Sequence, residues 1–245
     1  QGNEGNMGKK ALVTGASRGI GEAVARVLAR EGYDLFLVCR NLEKDICRIR
    51  DELVREFGIC CQTALCDVSD FRQVETMIKS AGEIHVLVNN AAVSHVGLLT
   101  DMTPDQWHQV MDTNLNSLFY ICRLVVPQMV RRREGKIVNV SSVWGSVGAS
   151  MEVAYSASKG GVNAFTKALA KELAPSNIQV NGAAFGVIDT RMNACFSEEE
   201  MDQLRQEIPA DRLGSVREAA QMISQIIHAP AYLTGQIITM DGGWI

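Results

Sequence analysis

The sequence predicts an α/β fold, a doubly wound and mainly seven-stranded parallel sheet. Three observations carry this. Short apolar runs recur along the whole chain, and longer stretches with apolar residues at helical spacing lie between them. The runs are also apolar at consecutive rather than alternate positions. A strand that is apolar on both faces needs cover on both sides, which a parallel sheet with helices on each face provides.

Ala11-Leu12-Val13 is the first run, and the helix from Ile20 to Arg30 after it sets Val24, Val27 and Leu28 on one face. Leu35 to Val38 is the second, followed by a charged helix with an apolar stripe at Ile46, Ile49 and Leu53. Gln62 to Cys66 and Val86 to Val88 are the third and fourth, separated by a helix around Val74 to Ile78. A long helix from about Pro104 to Arg132 leads to a fifth strand at Lys136 to Val140. A helix from about Val153 to Leu173 then precedes Ile178 to Asn181, and Gln236 to Met240 is the seventh strand. Right-handed crossovers make this alternation a single Rossmann-type domain over residues 9–245. Residues 1–8 read as a tag remnant or disordered lead.

Composition narrows the function classes. A chain of 245 residues, 47% hydrophobic, can bury one core without staples. Its seven cysteines form no C-x-x-C pair, so they read as reduced thiols of a cytoplasmic protein. His85, His95, His108 and His228 are dispersed, without metal-ligand spacing. The net charge of -4 offers no electrostatic reason for a nucleic-acid partner. No stretch approaches the roughly 18 apolar residues of a membrane span, so a soluble protein with no membrane partner is expected. The basic run Arg131-Arg132-Arg133 reads as a solvated helix end that complements the macrodipole.

In sheets of this kind ligands bind beyond the carboxyl ends of the strands. The first strand runs into Gly15, Ser17, Arg18, Gly19, Ile20 and Gly21. Glycines there let backbone approach a pyrophosphate that a helix N-terminus stabilises. The spacing is G-x-x-x-G-x-G, not the strict dinucleotide fingerprint, so position rather than the motif carries the reading. After the second strand, Cys39 stands where an NAD-selective site usually carries an acid, and Arg40 follows it. Arg18 and Arg40 together suit a 2′-phosphate, which favours NADP(H) over NAD(H).

The fifth strand leads to Ser142, and the next helix carries Tyr155 and Lys159 four apart, hence on one face. Such a pair alone is common on solvated helices. Here a lysine beside a tyrosine would stabilise the phenolate and make the phenol an acid-base group. Ser142 would hold the substrate oxygen. Carbonyl reduction needs a hydride on carbon and a proton on oxygen, and Tyr155 can supply the proton.

Together these residues resemble the short-chain dehydrogenase/reductases, with matching pieces throughout Lys9 to Ile245. They are the turn at 14–21, Asp67-Val68, Asn89-Asn90-Ala91, Asn114, Ser142, the Tyr155/Lys159 pair and the terminal Asp241-Gly242-Gly243-Trp244. The resemblance implies that Asn114 holds a water in a proton relay behind Lys159, which also binds the nicotinamide ribose. It places Asp67 and Val68 at the adenine, and Asn89, with Ala91 beside it, at the adenine-side ribose. Ile188 and Thr190 fall at the carboxamide and phosphate. The chain looks most like the 3-oxoacyl-[acyl-carrier-protein] reductases, which implies a homotetramer acting on a 3-oxoacyl thioester or similar β-keto compound. A sugar, polyol or secondary-alcohol dehydrogenase and a non-catalytic dinucleotide-binding protein are the competing readings.

Departures from that pattern are specific. Ala92 replaces a glycine, and Phe185 replaces a proline in what reads as the loop after the sixth strand, loosening a constraint beside the nicotinamide. Arg133 stands at one of two basic positions for acyl-carrier docking, whereas Ala174 to Asn177 has no arginine for the other. A substrate lid is expected over about Met192 to Leu213, with Cys195 and Phe196 apolar and Glu198 to Glu200 as N-terminal helix charges.

Overall fold

The computed structural model describes residues 6, 8–191 and 197–245, all but the side chain of Glu198. Seven parallel strands form one sheet: β1 (Lys10–Thr14), β2 (Asp34–Cys39), β3 (Cys61–Leu65), β4 (Val86–Asn89), β5 (Gly135–Ser142), β6 (Ile178–Phe185) and β7 (Ile237–Met240). Their order is β3-β2-β1-β4-β5-β6-β7. Connections run one way from β1 to β3 and the other way from β4 onward. The crevice where the order reverses lies between the carboxyl ends of β1 and β4, the expected place for a ligand.

Nine α-helices are described: α1 (Gly19–Arg30), α2 (Glu43–Phe57), α3 (Phe71–Ala81), α4 (Pro104–Met111), α5 (Ser117–Arg132), α6 (Trp144–Val147), α7 (Val153–Leu173), α8 (Glu198–Glu207) and α9 (Val216–His228). Helices α1, α2 and α9 pack on one face of the sheet, and α3, α5 and α7 on the other. Along β1 the faces alternate: Ala11 and Val13 join the first core, Leu12 the second. The α2 stripe of Ile46, Ile49 and Leu53 is buried, and each such side chain contributes roughly 1.5–3 kcal/mol of transfer free energy.

Several local expectations change. The long helix is not uniform, because a π-helical turn over Asp112–Asn116 separates α4 from α5. Strand β6 continues to Phe185, which pairs with Ser142 and Met240. Phe185 is therefore a buried strand residue and not a loop residue, and its carbonyl accepts from Val143 N at 3.0 Å. Ala92 is absent from the residues with positive φ, so its methyl costs no backbone strain. Arg132 is not solvated: its guanidinium folds back, and Nη2 donates to Ile84 O at 2.6 Å. Arg133 ends α5 in a left-handed conformation and donates to Pro175 O at 3.1 Å. Met192, Cys195 and Phe196 lie outside the described residues. The acidic start of α8 is as expected, with a reciprocal cap between Ser197 and Glu200.

Candidate active site

Helix α7 carries Tyr155 and Lys159, and buried polar contacts set its position against β5. Lys159 Nζ donates to Val140 O at 2.8 Å. Ser141 Oγ donates to Asn163 Oδ1 at 2.6 Å, and Asn139 Nδ2 donates to Thr166 Oγ1 at 2.9 Å. Positions 159, 163 and 166 share one helical face, while 139 and 141 share one face of the strand. Each contact is buried, so losing one partner leaves a polar group unsatisfied, at about 1–3 kcal/mol. Asn139, Ser141, Asn163 and Thr166 were not singled out from the sequence. Their signal is Asn139 and Ser141 at alternate positions, on one face of a buried strand.

Asn114 sits in the π turn, a feature often found at functional sites. Its Oδ1 accepts from Val93 N at 2.8 Å, and its Nδ2 donates to Val93 O at 2.9 Å and Ser158 Oγ at 3.0 Å. Ser158 Oγ in turn donates to Tyr155 O at 2.7 Å. The Asn114 side chain is thus committed to protein groups, and it ties the loop after β4 to the turn of α7 that bears Tyr155.

Tyr155 lies between an anion and a cation. Glu152 precedes it by one turn, and the Lys159 ammonium, one turn on, stands 5.5 Å from its ring centroid. Burial pushes the Tyr155 phenol well above its ordinary value of 10, and the charge of Glu152 adds to this. A hydrogen bond with Ser142 pulls the other way. Burial pulls Lys159 down from 10.5 to about 8. In the protein alone desolvation is the largest influence on the phenol. Tyr155 is a protonated phenol at neutral pH, the form that can donate.

At the β1/β4 crevice the glycine turn is built for close backbone approach. Gly15 and Gly19 have φ of 66° and 57°, in the left-handed region. A Cβ on Gly15 would stand 2.9 Å from Asn90 Nδ2, and one on Gly21 would stand 2.2 Å from Gly15 O. Thr14 Oγ1 accepts from the backbone N–H groups of Asn90 and Ala91, both at 3.0 Å. Ile20 lies in the first turn of α1, whose N-terminus opens at this cradle. Thr190 faces the turn, since a Cβ on Gly19 would lie 3.7 Å from its methyl. Ile188 is buried and bridges to Gly214.

Arg18 and Arg40 are exposed, one at the N-cap of α1 and the other just past β2. Between them Cys39 is buried, and its sulfur accepts from the Ser17 hydroxyl and from the backbone N–H groups of Asn41 and Leu42. Asp67 Oδ1 accepts from Ser69 N at 3.0 Å and from Ser69 Oγ at 2.6 Å. Val68 packs into the core. The Asn89 side chain corrects an expectation. It is buried, and Nδ2 donates to Asn139 Oδ1 at 2.8 Å, so it points into the core and away from a ribose. The cradle, the helix N-terminus and the exposed Arg18 and Arg40 fit a nicotinamide dinucleotide. Among the described residues no cluster of His, Cys, Asp and Glu could hold a metal ion, and no helix is long and apolar enough to cross a membrane.

These features define an oxidoreductase built on a dinucleotide-binding fold. Residues 9–201 match the short chain dehydrogenase family, and the chain belongs to it. It is 38% identical to the uncharacterized oxidoreductase YmfI of Bacillus subtilis over 240 residues, 97% of this chain and 99% of that protein. It is also 38% identical to the 3-oxoacyl-[acyl-carrier-protein] reductase FabG of Staphylococcus aureus over 242 residues, 97% of this chain and 98% of the relative. The crystal structure of a 3-oxoacyl-[acyl-carrier protein] reductase from Brucella melitensis superposes with a TM-score of 0.92 at 34% identity, covering 98% of this chain and 92% of that one.

Proposed function

We propose that the protein reduces the ketone of a 3-oxoacyl thioester, or of a similar β-keto compound, with NADPH. The observation that carries this is the Tyr155 phenol hydrogen-bonded to Ser142, with the buried Lys159 ammonium 5.5 Å from its ring centroid. When bound, NADPH supplies the hydride to the carbonyl carbon. The Tyr155 hydroxyl supplies the proton to the carbonyl oxygen, and Ser142 steadies that oxygen. The phenolate left behind faces the Lys159 ammonium, whose proton can then restore it. A relay water behind Lys159 would be held by the backbone of the π turn, since the Asn114 side chain is already engaged.

Arg18, Arg40 and the thiol in place of an acid at Cys39 support NADP(H) over NAD(H). Gly15, Gly19 and Gly21 would admit the pyrophosphate, with Ile188 and Thr190 beside the carboxamide and Asp67 and Val68 at the adenine. Asn89 would contribute through its backbone only. We read one domain over residues 9–245 that works in the cytoplasm as a homotetramer. Exposed Phe119 on α5, and Tyr232 and Ile245 around β7, are apolar surface that such assembly would cover. Arg133, engaged with Pro175 O, is a weak docking point for an acyl-carrier protein, so a small thioester is the substrate to try first.

The test is NADPH oxidation with a short 3-oxoacyl thioester, compared with NADH and with a panel of alcohols and NADP⁺. Thioester-dependent turnover with preference for NADPH is expected. Replacing Tyr155 with Phe should cut kcat by about 10²–10⁴-fold, the worth of a positioned general acid, while NADPH affinity changes little. Retention of most turnover in that variant would refute the mechanism.

A further inference from the structure

Glu152 is a charge that the proton-transfer machinery does not use. It is the N-cap residue of α7 but makes no capping hydrogen bond with its side chain. Instead Glu152 Oε1 accepts from Ser94 Oγ at 2.6 Å, across 58 residues of sequence. Next to it Met151, held at a φ of 66°, accepts through its carbonyl from Gly97 N at 2.8 Å. Two contacts thus clasp the loop after β4 to the start of α7, at the carboxyl-end rim where substrate must arrive. Glu152 stands one helical turn before Tyr155 and Lys159 one turn after it, with Lys159 Nζ held against β5 at Val140 O. The charge of Glu152 is felt at the phenol and raises it. The same rim exposes Val96, Leu98, Val147, Met151 and Val153, interspersed with His95, Ser146 and Ser150.

From this geometry we infer that Glu152 is a specificity-determining residue that repels ketones carrying an anion beside the carbonyl and reserves the site for neutral esters and thioesters. The inference deepens the reading of the substrate given above and rests on it. A free β-keto acid places its carboxylate two bonds from the ketone, within one helical turn of Glu152 when the ketone oxygen meets Tyr155. Two like charges about 6 Å apart at an effective dielectric of about 20 lose roughly a hundredfold in affinity, and salt reduces this to around tenfold. An ester or thioester of the same skeleton has no such cost, and its acyl chain can lie along the exposed apolar residues of the rim.

The experiment compares acetoacetate with methyl acetoacetate, using NADPH, in the wild type and in Glu152→Gln. Glutamine keeps an acceptor for Ser94 Oγ and removes only the charge. The wild type should favour the ester by tenfold or more in kcat/KM. In Glu152→Gln that ratio should shrink about tenfold through a gain on the acid, with the ester changed less than threefold. A role confined to the clasp would move both substrates together and leave the ratio alone. An unchanged ratio, within twofold, overturns the inference, as does a wild type that prefers the acid. Should the variant fold poorly, the wild type decides: raising salt must narrow its ratio, and a ratio indifferent to salt overturns the inference. Where turnover is too slow to follow, the same two ligands are compared by calorimetry on the protein with NADP⁺ bound. Reduction of the methyl ester without any thioester turnover would refute the thioester reading and leave this ratio legible.

Discussion

Replacing Lys159 with methionine should stabilise the protein without dinucleotide, although it removes a residue of the reaction. The ammonium is buried, and its environment lowers it from 10.5 to about 8. A lysine whose folded value is depressed binds fewer protons in the folded than in the unfolded state between those limits. Stability therefore rises with pH from about 8 to 10.5, and the full penalty is present below 8. At about 1.4 kcal/mol per tenfold in the proton equilibrium, the penalty is about 3 kcal/mol. Methionine of similar length escapes it but loses the hydrogen bond to Val140 O, worth about 1.5–3 kcal/mol for a charged donor. The net gain near pH 7 is up to about 1.5 kcal/mol, or a rise in Tm of up to roughly 6 °C for a chain of this size.

The assay is thermal unfolding by circular dichroism from pH 6.5 to 10.5, wild type against Lys159→Met, both free of dinucleotide. The difference matters more than either curve. Burial raises the thiols of Cys61, Cys66 and Cys122 to about 12, and groups raised in the folded state lose stability as pH climbs past their unfolded value near 9. Those contributions are common to both proteins and cancel. The gap in favour of methionine should be widest below pH 8 and close toward 10.5. A variant less stable than wild type at pH 7, or a gap that ignores pH, would refute the claim that burial of a charge sets Lys159.

Two further predictions concern the dinucleotide. Gly21→Ala places a methyl 2.2 Å from Gly15 O, which backbone cannot yield without moving the turn; a loss of about 1–3 kcal/mol of stability is expected, with at least a tenfold loss of NADPH affinity by fluorescence titration, and wild-type affinity would show the cradle is not used. Cys39→Asp supplies an acid at the end of β2 and should move the NADPH/NADH ratio of kcat/KM at least about tenfold toward NADH; an unchanged ratio would show that the 2′ position lies elsewhere.

The parallel sheet was legible because burial on both faces writes itself as consecutive apolar residues, as in β1, β2 and β4, whereas the edge strand β3, CQTAL, is only partly buried and carries a weaker signal. What lay between was less legible. The segment Trp144–Val147 is too short to show a period, and the π turn at Asp112–Asn116 differs from an α-helix by one residue in its hydrogen bonding, which no pattern of side chains announces. Asn89 and Asn90 are chemically identical neighbours, so composition could not say which one faces the core. Register decides it, by setting Asn89 opposite Asn139 on β5.

Phe185 was misplaced for the opposite reason. An apolar residue at the end of a strand continues the ladder where a proline would stop donating to it, and the sequence read against a proline pattern suggested a loop. At the centre of the site, residue types and spacing were enough to bring Ser142, Tyr155 and Lys159 together, but not to set their protonation. The sign of the Tyr155 shift depends on how much water α7 and the Ser94–Glu152 clasp exclude, against how close Lys159 stands, and both are properties of packing. A chain that selected only for stability would not bury an ammonium there. On the proposed mechanism its presence, fixed to Val140 O with no carboxylate partner among the described residues, answers a phenolate that exists only during turnover, when the cation meets the charge it was placed for.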